Sequence, residues 1–176
     1  MRVEFKDSGI RFLAYDFPQA SVWPDKACPA RAIRDADPDD ALPSLRLNSG
    51  EVLFVTAEQK DDLCAWLDAQ GVPIRRHLDV WYLLLEPFLD TEFSAEHQQK
   101  TLDRLEEAGL DRIAVDELRA EFGPWMYRYN ITDMLWDWVH LGQCDLLCAI
   151  GRYAPDQLDD WYWRSHRIAN LGLDRE

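Results

Sequence analysis

One stretch, residues 122–150, most constrains what this chain can fold into. It reads FGPWMYRYNITDMLWDWVHLGQCDLLCAI and combines the greatest apolar density of the sequence with three of its eight tryptophans. Side chains of this kind are stable when they are buried against other elements. If residues 132–150 form one helix, apolar side chains occur on nearly all of its faces, so we expect a central, aromatic-rich core helix. Its continuity depends on Gly142, because glycine weakens a helix interior.

The first third of the chain predicts β-hairpins. Residues 3–5 and 10–15 are β-prone and flank a Lys-Asp-Ser-Gly turn, and residues 45–47 and 51–55 flank an Asn-Ser-Gly turn. Between the two hairpins, residues 17–43 contain five prolines, many aspartates and no sustained hydrophobic period. Proline disfavours helix in the residue before it, so we expect a long surface loop there.

Capping signals after residue 55 predict a series of helices. Thr56 and Gln59 form a capping-box pattern for a helix over residues 57–70, which Gly71 ends. A second helix is expected to start at Pro73 and to kink or end at Pro87, and a third is expected between a Ser94 cap and a Gly109 stop. Two more are expected, over residues 114–122, where Gly123-Pro124 ends the helix, and from Pro155 to Asn170. Residues 80–85 are apolar on every side, which leaves a strand as the alternative there.

These patterns predict a helix-rich α+β fold, in which N-terminal β-hairpins precede about six helices packed around the central aromatic-rich helix. The sequence has neither an internal repeat nor a composition shift that would mark a second domain, and 176 residues suit a single core. We therefore expect residues 1–176 to form a single domain. Residues 1–55 supply its β-hairpin portion, with the loop at 17–43, and residues 56–176 supply an acidic helical body.

Acidic charge is concentrated in the helical body. The formal net charge is −14; residues 1–55 carry 7 basic and 9 acidic side chains, whereas residues 56–176 carry 12 and 24. Such a field repels nucleic-acid phosphates and anionic lipid, and it accelerates the encounter with a basic protein. We therefore expect a basic protein partner and no direct binding to nucleic acid or membrane. The alternative is that the charge serves only solubility.

The N-terminal sequence and the cysteines predict a cytoplasmic protein. The first residues, MRVEFKDSGIRF, lack the basic and apolar regions of a signal peptide, and no apolar run approaches the roughly 20 residues that span a bilayer. We therefore expect the four cysteines to be reduced. Fifteen arginines against four lysines favour a bacterial source.

A helix over residues 132–150 would place three possible metal ligands on one face. Asp133, Asp137 and His140 stand at positions i, i+4 and i+7, a spacing at which side chains share a face. Carboxylates and imidazole bind divalent metals, and a metal-activated water would make the protein a hydrolase. The structural alternative places Asp133 at the favourable N-terminal end of the helix and makes His140 a hydrogen-bonded residue near the core. Apart from this divalent metal, the sequence predicts no cofactor.

Two cysteines share the same predicted face. Cys144 and Cys148 are separated by three residues, which is neither the spacing of redox motifs nor that of paired zinc ligands. Buried thiols are the favoured interpretation, and a nucleophile formed by His140 and Cys144 is the alternative. The sequence contains no P-loop, dinucleotide fingerprint, nucleophile elbow or kinase signature, so no catalytic residue is assigned.

The C-terminal helix offers a candidate partner-binding group. The inward stripe predicted for that helix consists of Leu158, Trp161, Tyr162, Ser165, Ile168 and Ala169. Trp163 falls opposite this stripe, near Arg164 and Arg167. Tryptophan and arginine dominate binding hot spots, so these three residues are the predicted exposed anchor. The alternative is an aromatic core in which the indoles are satisfied internally.

A second candidate group is acidic. Glu86, Asp90 and Glu92 surround Pro87, and paired carboxylates can transfer protons, bind a cation or contact a basic partner. Solvated charges at a helix end are the structural alternative.

The sequence thus predicts a small acidic cytoplasmic interaction protein that binds and neutralises or regulates a basic partner, as an immunity protein or antitoxin does. Two alternatives remain: a metal-dependent hydrolase that uses Asp133, Asp137 and His140, and a structural subunit of a larger complex. The absence of catalytic motifs favours a binding protein over an enzyme.

Overall fold

The computed structural model describes residues 1–89, 93–132 and 140–171, the side chains of residues 131 and 132 excepted. Within these residues, two three-stranded antiparallel sheets precede six α-helices, which confirms the predicted helix-rich α+β fold. The chain divides into two compact units, Met1–His77 and Leu78–Glu176. That a single domain spans residues 1–176 stays a prediction. Among the described helices, none combines the length and hydrophobicity that crossing a bilayer requires.

The first sheet of unit Met1–His77 has the order β1-β2-β3, with strands Arg2–Lys6, Gly9–Leu13 and Ala27–Pro29. The predicted first hairpin is therefore confirmed. Glycine is required at position 9, where β2 pairs with β3, because a Cβ atom there would lie 2.4 Å from the carbonyl oxygen of Cys28. Ile10 and Phe12 on β2 are fully buried and form part of the core of this unit.

The second sheet has the order β4-β5-β6, with strands Ile33–Asp37, Ser44–Leu47 and Val52–Phe54. The hairpin predicted around the Asn-Ser-Gly turn is confirmed by β5 and β6. The surface loop predicted at 17–43 is wrong in part, because β3 and β4 both fall inside it.

The aspartates of β4 explain why this strand was missed. Asp35 and Asp37 are buried on it, and Asp35 lies opposite Arg46 of β5. Polar residues on a strand are expected at its solvent side, but here Nε2 of His77 lies 2.8 Å from Oδ1 of Asp35. Arg34 Nε donates to the other oxygen of Asp35 at 2.8 Å. Polar partners therefore satisfy these buried carboxylates, which the sequence alone places in a loop.

Helix α1, Lys60–Gln70, follows a 3-10 turn at Ala57–Gln59 and ends at Gly71, which adopts the left-handed conformation with φ of 65°. Its extent and its glycine stop are as predicted. The predicted capping box is wrong, because Thr56 donates to the Glu58 carboxylate instead. Gln59 is committed to β1: its Oε1 accepts from the Val3 N–H at 2.8 Å and its Nε2 donates to the Val3 carbonyl at 2.9 Å.

Unit Leu78–Glu176 begins with the short helix α2, Val80–Leu85. Asp79 fixes its start, because Oδ1 accepts from the Tyr82 N–H at 2.8 Å. The helix predicted from Pro73 therefore starts too early, and the alternative strand at 80–85 is wrong. Pro87 ends the helix in a 3-10 turn at Glu86–Phe88, as predicted.

The remaining described helices are α3, Ala95–Ala108; α4, Arg112–Thr132; α5, Gln143–Tyr153; and α6, Leu158–Ala169. The caps of α3 are as predicted, since Ser94 Oγ accepts from the His97 N–H and Gly109 closes the helix with φ of 105°. The short helix predicted at 114–122 is wrong in its end, because α4 continues through Pro124. Phe122 and Met126 are fully buried on either side of this proline, and their burial offsets its cost of about 3 kcal/mol.

The predicted continuous helix over residues 132–150 is wrong. Residues 140–142 are not helical, and α5 begins only after Gly142. The Gly142 N–H donates to Oδ2 of Asp145 at 2.8 Å, which makes the glycine a helix start instead of an interior position.

The aromatic centre of this unit lies between α2, α4 and α6. Ring centroids of Trp81, Phe122 and Trp161 are 6.0–6.5 Å apart, and all three side chains are buried. The Trp81 indole N–H donates to the Ser165 carbonyl at 3.0 Å. The predicted inward stripe of α6 is thus confirmed, and the core is centred on these helices.

Candidate functional site

A cavity of about 530 Å³ lies between the 3-10 turn after α2 and helices α3 and α4, and we call it the Glu86 cavity. Its size falls in the range of small-molecule sites. Glu86 and Pro87 line it from the turn, Thr101 and Leu102 from α3, and Arg119 from α4.

Glu86 is only 3% exposed, so it is a buried carboxylate and not a surface charge. Its Oε1 lies 2.7 Å from Nε2 of His97, and its Oε2 accepts from the Thr101 hydroxyl at 2.8 Å. His97 and Thr101 are four residues apart on α3 and therefore approach the carboxylate from one face. Asp90 and Glu92, the other members of the predicted acidic group, lie outside the described residues.

Arg119 lines the cavity and is held in place by α2. Its Nε and Nη2 donate to the carbonyls of Leu84 and Leu83, at 3.1 and 2.9 Å, and these carbonyls belong to the last turn of α2. Burial lowers the pKa of Arg119, although Asp116 and Glu86 counteract this effect. Because a guanidinium stays charged in proteins, the cavity keeps a fixed cation beside the Glu86 carboxylate.

Two exposed side chains of opposite charge line the same cavity from α4. Arg112 and Asp116 stand one turn apart, and Arg119 follows three residues later, so all three share a face of the helix. Within the described residues, neither Arg112 nor Asp116 takes part in an ion pair. The cavity therefore presents exposed charges of both signs at its rim.

The α3–α4 connection concentrates negative charge. Glu106 and Glu107 lie in the last turn of α3, which reads Leu-Glu-Glu-Ala, and Asp103 lies one turn earlier on the helix. Asp111 starts α4, where its Oδ1 accepts from the Ala114 N–H at 2.8 Å. We call Asp103, Glu106, Glu107 and Asp111 the acidic turn; all four residues are exposed.

The predicted metal stripe is only partly described. Asp133 and Asp137 lie outside the described residues, whereas His140 lies in the non-helical segment before α5. Nε2 of His140 is 3.0 Å from Oδ2 of Asp79, and its ring stacks on Tyr82 with 4.6 Å between centroids. His140 thus joins the start of α2 instead of continuing a helix.

The break before α5 also affects the cysteines. Cys144 and Cys148 lie on α5, with Cys144 buried, while His140 is outside that helix. The i, i+4 geometry on which a His140–Cys144 nucleophile depended is therefore absent from this described segment.

Asp145 caps the start of α5, and burial raises the pKa of its carboxyl group.

The three predicted residues on α6 have different environments. Trp163 is 42% exposed, and Arg167 is exposed one turn later. Arg164 is instead engaged within the protein: its Nη1 lies 2.8 Å from both carboxylate oxygens of Glu121, and its guanidinium lies 4.3 Å from the ring centroid of Trp161. The structure therefore leaves Trp163 and Arg167 on the surface.

Neither a protein-family model, nor a curated protein, nor a solved structure matches the chain. Its function is therefore inferred from the described side chains.

Unit Met1–His77 contains a polar network that sequence reasoning missed. Besides its contact with Asp35, His77 donates its backbone N–H to Oδ2 of Asp37 at 3.2 Å, and burial lowers the pKa of the neighbouring Arg46. The Asp-x-Asp alternation of β4 was the available signal, since residues two apart share a strand face. Opposite charges compensate each other in this network, which favours a role in holding residues 73–77 against β4.

Proposed function

We propose that the protein binds a basic protein partner through the acidic turn, and so neutralises or regulates that partner. The observation that carries this proposal is the position of Glu106 and Glu107 in the last turn of α3. The C-terminal end of a helix carries a partial negative charge, so glutamates there are unfavourable for the helix. Charges that oppose local stability are expected at functional surfaces.

The charge of the surrounding unit supports the same proposal. Residues 78–176 carry 20 acidic and 9 basic side chains, whereas residues 1–77 carry 13 and 10. A negative field of this kind steers a basic protein toward the acidic turn and raises its association rate. Trp163 supplies an exposed aromatic side chain suited to a binding hot spot.

The compartment is part of the proposal. All four cysteines lie in the described part of the chain as thiols, which supports a reducing compartment such as the cytoplasm. An interaction protein with this charge meets basic proteins there without needing a disulfide framework.

A co-purification experiment with two charge-matched variants tests the proposal. The first variant, Asp103→Asn with Glu106→Gln and Glu107→Gln, removes three charges from α3. The control, Asp61→Asn with Asp62→Asn and Asp68→Asn, removes three exposed charges from α1. Each protein is tagged and recovered from its native host in about 0.05 M and about 1 M salt, since the Debye length falls to about 3 Å at 1 M.

We expect wild type and control to retain a basic protein in low salt, and the α3 variant to retain about tenfold less. Three surface charges at about 0.5 kcal/mol each give this factor. High salt should release the partner from all three. Recovery of no partner, of an acidic partner, or of equal amounts with both variants would overturn the proposal.

A further inference from the structure

We propose that the Glu86 cavity binds a free α-amino acid with an apolar side chain. This site is separate from the acidic turn, and the inference does not depend on the partner proposed above. It rests on the charges, the lining and the volume of the cavity.

The charges of α4 form an alternating stripe along the cavity. Arg112, Asp116 and Arg119 stand at i, i+4 and i+7 and all line it. On a helix, an ion pair at i, i+4 is more favourable when the acid precedes the base. Arg112 precedes Asp116, so these two residues stand in the less favourable order. No ion pair joins these two side chains in the described structure, so the stripe remains open to an external zwitterion.

A free amino acid matches this stripe because its carboxylate and ammonium are attached to the same carbon atom. The carboxylate fits between the guanidinium groups of Arg112 and Arg119, where Arg112 can make a bidentate contact and Arg119 can donate from Nη1. Nε and Nη2 of Arg119 are bonded to α2, and in the described residues its Nη1 has no hydrogen-bond partner. The ammonium fits against Asp116, so each charge of the ligand meets its opposite.

The interior of the cavity is already balanced, which restricts the ligand further. Glu86 is bonded to His97 and Thr101 through one oxygen each, and its negative charge partly offsets the positive charge of the half-buried Arg119. A second net charge inside would therefore be uncompensated. The part of the ligand beyond its α-carbon must be neutral.

Apolar lining receives that neutral part. Pro87, Phe93 and Leu102 face the cavity, and the Phe93 ring is fixed by stacking on His97 with 4.7 Å between centroids. Gln98 is oriented by its Nε2, which donates to the Phe93 carbonyl at 3.2 Å. An aliphatic or aromatic side chain placed there would bury its surface and gain affinity.

Calorimetric titration with leucine and two analogues tests the site. Leucinamide lacks the carboxylate, and 4-methylpentanoate lacks the ammonium. We expect leucine to bind with a Kd below about 1 mM, and each analogue to bind about tenfold more weakly or not at all. Phenylalanine should also bind, whereas aspartate and lysine should not.

Variants of exposed residues separate a site effect from misfolding. Arg112→Gln and Asp116→Asn should each weaken leucine binding about tenfold. Arg104→Gln, an exposed change on α3 that does not line the cavity, should leave the affinity unchanged. The proposal is overturned if no apolar amino acid binds saturably, if either analogue binds as tightly as leucine, or if the α4 variants bind like the control.

Discussion

Reversing one charge at each end of α3, in separate variants, tests whether Glu106 of the acidic turn opposes the helix dipole. Glu106 lies in the last turn of the helix, and Glu96 lies in the first turn, two residues after the Ser94 cap. Glu106→Lys and Glu96→Lys change the net charge equally, on the same helix, at exposed positions. Because the helix dipole is negative at its C-terminal end and positive at its N-terminal end, we expect opposite effects on stability.

The magnitude follows from the local contacts. A charge near a helix end contributes about 0.3–1 kcal/mol, so replacing an unfavourable anion at 106 with a cation should stabilise the fold by about 1 kcal/mol. Asp103, three residues earlier, then adds a favourable pair of about 0.2–0.5 kcal/mol. At position 96 the dipole change has the opposite sign, and the exposed ion pair with Lys100, at 2.8 Å, is also lost. Glu96→Lys should therefore destabilise by about 1 kcal/mol or slightly more.

Thermal denaturation followed by circular dichroism measures both changes. We expect the Tm to rise by about 2–4 °C for Glu106→Lys and to fall by a similar amount for Glu96→Lys. The difference should shrink in about 1 M salt, where surface charges are screened. If Glu106→Lys is the less stable of the two, Glu106 does not oppose the helix dipole, and the main support for a binding role is removed. Under the proposed function, Glu106→Lys should also weaken partner retention, so stability and binding change in opposite directions.

Three further measurements check other parts of the structure. Gly9→Ala should destabilise by about 3 kcal/mol in chemical denaturation, because its Cβ would lie 2.4 Å from a backbone oxygen. Gly151 lies within α5, and a Cβ there would make an ordinary 3.6 Å contact with the Leu158 side chain of α6, so Gly151→Ala should stabilise by about 0.5–1 kcal/mol. Burial raises the folded-state pKa of Asp145 above its unfolded value, so ionisation of this carboxyl opposes folding and the wild type loses stability as pH rises above about 4. Asp145→Asn does not ionise, so it should gain stability relative to wild type over that rise in pH, as measured by urea titrations. Burial raises the pKa of the Cys28 thiol to about 11, so mass spectrometry should find it alkylated by iodoacetamide at pH 8 far more slowly than the half-buried Cys64.

Each of these measurements has a result that contradicts the structure. A neutral Gly9→Ala variant would mean that β2 and β3 are not in contact at that residue. An Asp145→Asn variant whose relative stability falls with rising pH would mean that the carboxylate is better stabilised in the fold than in water. Equal alkylation of Cys28 and Cys64 would contradict the burial of Cys28.

Local signals predicted the elements that depend on local chemistry. The Ser94 cap and the Gly71 and Gly109 stops set helix ends through bonds within a few residues, so the sequence contained the information. β4 was missed because Asp35 and Asp37 are satisfied by His77, 40 or more residues away. A pattern of neighbouring residues does not indicate partners that are so distant in the sequence.

The candidate site shows the same division. Glu86 was recognised as a possible functional carboxylate, but its burial depends on His97 and Thr101, which a sequence pattern does not bring together. The sequence identifies Gly142 as the position at which the expected helix is least stable. In the structure its N–H donates to Asp145, and α5 begins at the next residue. No sequence pattern distinguishes Arg112 and Asp116, because exposed charged pairs on helices are common.

The Gln59 side chain has a consequence for the behaviour of the protein at high concentration. β1 lies at the margin of its sheet, where unpaired backbone groups can recruit a strand of another molecule. The amide of Gln59 meets the Val3 N–H and carbonyl as the peptide group of a neighbouring strand would, at 2.8 and 2.9 Å, and the Thr56 N–H donates to the Met1 carbonyl nearby at 3.1 Å. The Gln59 side chain thus occupies the pairing position at Val3, which disfavours edge-to-edge association of β1 at that residue.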